Sequence, residues 1–312
     1  MIRCRFVHLC ALFVLLIGLS RRESLAVGVW HRDYASGLAE AKAEGKSLML
    51  VFTGTDWIEI CGKFYDEILG DPAFIELVSA KFALVKLEYP KDSLLPRSEL
   101  AEKALLRDAY RVRGFPTVLL TDAAGRPFGI NGYQPISAKE YAEQILEIKA
   151  AHEGGMAMVE QAASLSGIER ARALVKSLPD LPDALLARFF GKELREILDL
   201  DARDELTLRD RFQRILADEA YEREIQTLLR EKKWDEMIAL TDRQIADRKL
   251  AGEALQGALL NRAGFERRAG REQDCEATLR RIVSLDAESG VGKEAARLLE
   301  AGTAPAKDAS TR

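Results

Sequence analysis

Histidine and cysteine are scarce in this 312-residue chain, at three and four residues, and they are scattered. That excludes a His-rich metal centre and a disulfide-stapled scaffold. An excess of one charge is lacking too: 46 basic residues face 50 acidic ones, for a net charge of −4, so nothing electrostatic calls for nucleic acid. The apolar run near the amino terminus, Phe6 to Leu19, is 14 residues long. A membrane-spanning helix needs roughly 20. There is no Gly-x-Ser-x-Gly elbow, and Gly290 to Glu294 lacks the upstream glycine and the Ser or Thr after Lys293 that a phosphate loop requires. No cofactor and no metal is implied. What the chain does have is 47% hydrophobic residues with 22 Gly and 9 Pro, enough for packed cores and against wholesale disorder.

The length favours two domains. Residues 1–26 place Arg3 and Arg5 before the apolar run and end on Ser24-Leu25-Ala26, the layout of a secretory signal peptide. The expectation is an exported protein, periplasmic or extracellular. Arg21 and Arg22 directly after the run keep an alternative open, in which residues 6–19 stay uncleaved and tether the chain to the membrane. Removing this segment takes four basic residues and one acidic residue, leaving a net charge of −7, and leaves Cys61 and Cys275 as the remaining cysteines.

Residues 27–153 read as one α/β unit. Asp33 to Glu44 has helical spacing with Gly45 as its stop. Ser47 to Thr53 is an apolar run of strand length, suited to burial on both faces. Two helical stretches follow, the second with Asp71 and Pro72 as N-cap and first helical residue. Phe82 to Tyr89 is a strand and Ser98 to Tyr110 a helix. Thr117 to Thr121 and Pro127 to Ile130 flank a turn as a hairpin, and Ser137 to Ala151 closes the unit as a helix. The order predicts a mixed central sheet flanked by helices. Past Gly154-Gly155, residues 156–301 are amphipathic helical pattern throughout, an all-α domain with breaks at Gly167, Pro179 to Pro182, near Asp201, near Lys232, and at Gly252, Gly270 and Gly290. A self-match at an offset of 38 residues pairs Glu231 to Leu240 with Ala269 to Thr278. One reading is a pair of degenerate repeats similar to tetratricopeptide repeats, the other a plain helical bundle. Residues 302–312 are small and polar and read as a disordered tail.

The strand Val51-Phe52-Thr53-Gly54 running into Thr55-Asp56-Trp57, the helix after it, Gly114-Phe115-Pro116-Thr117, and the Asp-Ala-Ala-Gly turn before Gly129-Ile130-Asn131-Gly132-Tyr133 together resemble the thioredoxin-fold family, in particular its exported bacterial members. The resemblance covers about residues 28–152. It implies a Trp-Cys-x-x-Cys turn at a helix start, where the helix amino terminus lowers the pKa of the first thiol and the second thiol resolves the mixed disulfide. This chain reads Trp57-Ile58-Glu59-Ile60-Cys61. Ile58 stands at the nucleophile position and only the resolving sulfur is kept. Glu59 would oppose a thiolate nearby while suiting the helix dipole.

Three readings of Cys61 stand open: a buried apolar residue, a monothiol acting by mixed disulfide, and one end of a bridge to Cys275. The resemblance also implies a cis Pro116 facing the turn, with Phe115 offering its backbone to an extended substrate chain; the alternative is that Pro116 only shapes the strand entry. With Thr117 beside them, Trp57, Ile58, Phe115 and Pro116 are the candidate binding residues, and Cys61 is the candidate catalytic one. His31 and His152 read as solvated helix-end residues, and Trp234 as core. The expected function is an exported, redox-degenerate thioredoxin-like module that binds a protein or peptide partner or serves as a scaffold. The rival is a monothiol oxidoreductase or isomerase using Cys61. No nucleic acid is expected, and membrane contact only through a retained leader.

Overall fold

The computed structural model describes residues 30–91 and 96–303. The expected leader and the tail beyond residue 303 lie outside them. The described chain divides into two units, one running to Ala157 and including Pro179–Leu181, the other comprising Met158–Leu178 and everything from Pro182.

In the first unit, β1 (Ser47–Thr53) is buried at every position and lies between β2 (Phe82–Glu88), its parallel neighbour, and β3 (Thr117–Thr121), which pairs antiparallel with it and with β4 (Pro127–Asn131). The order β2-β1-β3-β4 is a mixed sheet. Burial on both faces is why β1 reads as an unbroken apolar run. Met49 and Val51 join Phe64, Phe74, Tyr141 and Ile145 in one core on one side of the sheet. That core is supplied by α2 (Glu59–Phe64), α3 (Pro72–Ser79) and α5 (Ala138–Gln161). The helices α1 (Tyr34–Glu44) and α4 (Arg97–Ala109) complete the unit.

Local chemistry sets several boundaries. The Asp33 carboxylate accepts from Ser36 N–H, and that of Asp71 from Ala73 N–H, capping α1 and α3. Gly45 ends α1 at φ 66, a conformation that suits glycine.

Two helix boundaries in this unit need correction. Helical pattern begins at Thr55, yet α2 begins at Glu59, because residues 55–57 form a hydrogen-bonded turn on the Gly54 carbonyl. After Phe64 it widens into a π turn, Tyr65–Leu69. The closing helix does not stop at Ala151 but passes through Gly154 and Gly155 to Gln161. A glycine costs a helix only about 1 kcal/mol, and Gly155 is buried, so packing overrides the local preference.

His152 is not a solvated helix-end residue. It is half-buried, with its ring 4.1 Å from that of Phe128 and 3° from parallel. Burial, with help from Lys149 and Arg126 and against Asp122 and Glu153, holds its pKa below 6.5. The neutral ring is therefore the folded form, so stability present above about pH 6.5 is lost as pH falls through that value. Comparing urea midpoints at about pH 7.5 and about pH 5.5, the wild type should lose more stability on acidification than His152→Phe; equal losses would refute this assignment. His31 is likewise engaged, 2.6 Å from Glu40 and bridged through its backbone to β2.

The second unit is helical: α6 (Gly167–Ser177), α7 (Asp183–Leu200), α8 (Arg209–Glu231), α9 (Trp234–Asp247), α10 (Gly252–Arg268), α11 (Glu272–Leu285) and α12 (Gly290–Thr303), each packed on the next. The expected breaks fall at the starts of these helices or between them. Residues 302 and 303, expected in the disordered tail, belong to α12 instead. The 38-residue offset appears in space: α11 starts 38 residues after α9, Lys232 and Gly270 both take positive φ before them, and Met237 and Thr241 match Cys275 and Leu279 as buried positions.

Candidate functional site

The site forms where the carboxyl ends of β1 and β2 meet the entry to β3. Because β1 and β2 are parallel, with Thr53 opposite Glu88, the residues that follow each strand emerge side by side. Glu88 accepts from both the backbone N–H of Thr55 and its hydroxyl, the latter at 2.9 Å, and thereby fixes the turn leading to α2. Lys86 Nζ lies 3.6 Å from Glu88 and 4.6 Å from the centre of the Tyr65 ring. The Ile58 N–H donates to the Gly54 carbonyl at 2.9 Å, which places Ile58 as the N-cap residue of α2 with extended backbone and a half-buried side chain.

Trp57 is 47% exposed, but its indole N–H donates to the Tyr89 carbonyl at 2.8 Å. The polar edge is satisfied and the remaining ring offers apolar surface. Gly54 makes room for it: a Cβ there would fall 2.5 Å from the indole nitrogen. Phe115 stands edge-on to Trp57, with centroids 6.4 Å apart at 88°, and stacks on Tyr89 at 4.9 Å. Tyr89 in turn stacks on buried Phe52 at 6.1 Å. The Tyr89 hydroxyl donates to the Lys103 carbonyl at 2.9 Å, and burial pushes its pKa well up, so it stays protonated.

Phe115 joins Pro116 through a cis peptide bond, both are half-buried, and the Thr117 hydroxyl donates to the Gly114 carbonyl at 2.8 Å. Trp57 and Phe115, far apart in sequence, are thus brought into contact, with Ile58 and Pro116 as their chain neighbours. Sequence reasoning missed Gly54, Glu88 and Tyr89. The signal that could have found the last two is the parallel pairing of two strands of equal length, which puts both strand ends at one edge.

Cys61 lies in the first turn of α2 and is 1% exposed. Its N–H donates to the Ile58 carbonyl at 2.9 Å, and no hydrogen bond or ion pair involves its thiol among the described residues. Cys275 is 2% exposed in the helical unit, where burial raises its thiol pKa. Both cysteines are free, which corrects the bridged alternative. No group of three or more potential metal ligands occurs among the described residues, and no helix among them is long and apolar enough to cross a membrane.

A model of the thioredoxin-like domain family matches residues 34–149. The chain is similar to the disulfide bond reductase DsbH of Chlamydia pneumoniae, 27% identical over 124 residues, 40% of this chain and 75% of that protein. It is similar also to the thioredoxin-related protein DsbJ of the same organism, 31% identical over 126 residues, 38% of this chain and 36% of that protein. Among solved structures, a DsbH oxidoreductase is 27% identical, covering 41% of this chain and 88% of that one, with a TM-score of 0.38. Sequence match and sheet topology agree on one conclusion, that residues 34–149 form a thioredoxin-like domain.

Proposed function

We propose that this thioredoxin-like unit binds an extended polypeptide without exchanging disulfides with it, and that the helical unit adds a second surface for protein contacts. The observation that carries the reading is the pairing of a half-buried Ile58 at the nucleophile position with Cys61 at 1% exposure. Ile offers no nucleophile, and a thiolate is required for thiol-disulfide exchange. The Cys61 sulfur is shielded from any mixed disulfide. Trp57 and Phe115 supply rigid aromatic surface of the kind that dominates binding energy at interfaces. Export through the leader, the division into residues 27–153 and 156–301, and kinship of the 38-residue helical pairs with tetratricopeptide repeats belong to the same proposal.

A second reading, a monothiol oxidoreductase or isomerase acting through Cys61, draws on the printed activity of DsbH, a disulfide bond reductase. Alkylation separates the two. At neutral pH the native Cys61 thiol should react with iodoacetamide about 100-fold more slowly than in the urea-unfolded chain, since it must wait for local opening. The native protein should also leave insulin unreduced in dithiothreitol above the Cys61→Ser background. Fast native alkylation together with turnover abolished by Cys61→Ser would establish the second reading instead.

A further inference from the structure

The surface around Trp57 is apolar at its centre and carries two carboxylates on the turn that holds Trp57. In the run Asp56-Trp57-Ile58-Glu59-Ile60, Trp57 is 47% exposed and Ile60 38% exposed, and both carboxylates are exposed. Glu59 has no ion pair or hydrogen bond to its side chain among the described residues. Among the described residues the Asp56 carboxylate accepts one bond, from the Lys91 backbone N–H at 3.2 Å, and meets no side-chain cation. Lys63, the cation one turn further along, is already committed: it lies 3.8 Å from Glu67 and 5.6 Å from the centre of the Tyr133 ring. The turn from Gly54 to Cys61 and the strand entry from Gly114 to Thr117 therefore carry two carboxylates and no cation, with exposed Lys91 and Arg113 beyond their ends.

Two acids without a side-chain cation among the described residues, bracketing exposed Trp57 and half-buried Ile58, select a charge as well as a shape. An acidic partner would bring like charges together at the rim, whereas a basic one would find complementary charge there at little desolvation cost. We infer that the occupant of this surface is an extended segment of another polypeptide in which an apolar residue is flanked on both sides by Lys or Arg. The apolar residue packs on Trp57 and Phe115, and the cations face Asp56 and Glu59. Glu59 acts as a specificity residue. It stands where a redox-active member of the family has the residue after its nucleophile, and with Ile58 in place it has no thiolate to repel. This inference rests on the peptide-binding reading above and names the class of peptide.

The test uses the full-length protein and two fluorescein-labelled peptides that differ only at the flanking positions, Lys-Leu-Phe-Lys and Glu-Leu-Phe-Glu within the same Gly-Ser frame, followed by fluorescence anisotropy. At low salt the Lys peptide should bind about fivefold more tightly than the Glu peptide, the scale of two exposed ion pairs. The preference should shrink in about 0.5 M salt and vanish in Glu59→Lys, which leaves Asp56 facing one new cation. Trp57→Ala should weaken both peptides alike. Equal affinities for the two peptides, with Trp57→Ala still weakening both, would overturn the charge preference and leave the binding reading standing. Failure of both peptides to bind the wild type would overturn both. A preference unmoved by Glu59→Lys would remove Glu59 from its role.

Discussion

Ile58→Cys is expected to turn this protein into a catalyst of insulin reduction by dithiothreitol, on the order of 100-fold above the wild-type chain, because one side chain separates it from a complete dithiol couple. The backbone for that chemistry is already in place. Residue 58 is the N-cap of α2, its carbonyl accepts from Cys61 N–H at 2.9 Å, and its side chain is half-buried where that of Cys61 is closed off. A thiol there would sit at a helix amino terminus, with its pKa lowered by the helix dipole. The thiol of Cys61, one turn on, would attack the mixed disulfide from within. Ile58→Cys combined with Cys61→Ser should trap substrate as a stable mixed disulfide. A folded Ile58→Cys variant without activity would show that the turn pinned by Glu88 has departed from working geometry as well.

In the helical unit the largest effect is expected from Arg262. Its guanidinium reaches Asp242 at 2.9 Å, Glu266 at 2.6 Å and the Thr278 hydroxyl at 2.7 Å, joining α9, α10 and α11. Glu266 is fully buried, and among the described residues Arg262 is its ion-pair partner. Breaking a buried pair from one side leaves an uncompensated charge, at a cost of about 3–5 kcal/mol, more than the pair itself contributes. Arg262→Met should therefore lower the urea midpoint of the helical signal by that equivalent. Arg262→Met with Glu266→Met should recover most of it, since the charge is removed along with its partner. An unchanged midpoint in the single variant would overturn the role of this pair in holding the three helices together.

How far each element could be read from sequence follows from the range of the forces that set it. The cap of α3 was legible because Asp71 bonds to N–H groups two and three residues away. The burial of β1 was legible because a strand covered on both faces has no polar alternation. The continuation of α5 through Gly154 and Gly155 was not, since it depends on neighbours that hold a poor helix former in place. Nor was the state of His152, whose partner Phe128 comes from the hairpin. The same divide runs through the site. Trp57, Ile58 and Phe115 are visible as residue types, while Tyr89, which stacks on Phe115 and accepts from Trp57, comes from the end of another strand.

What the amino-acid order determined alone is chemical identity: no sulfur at residue 58, one sulfur at residue 61, and acids at residues 56 and 59. Only the folded chain decided that the remaining thiol is shut away, that Trp57 meets Phe115, and that neither acid gains an ion-pair partner among the described residues. Composition is a covalent property of each position. Solvent exposure and proximity belong to pairs of segments that the parallel β1–β2 pairing and the hairpin bring together.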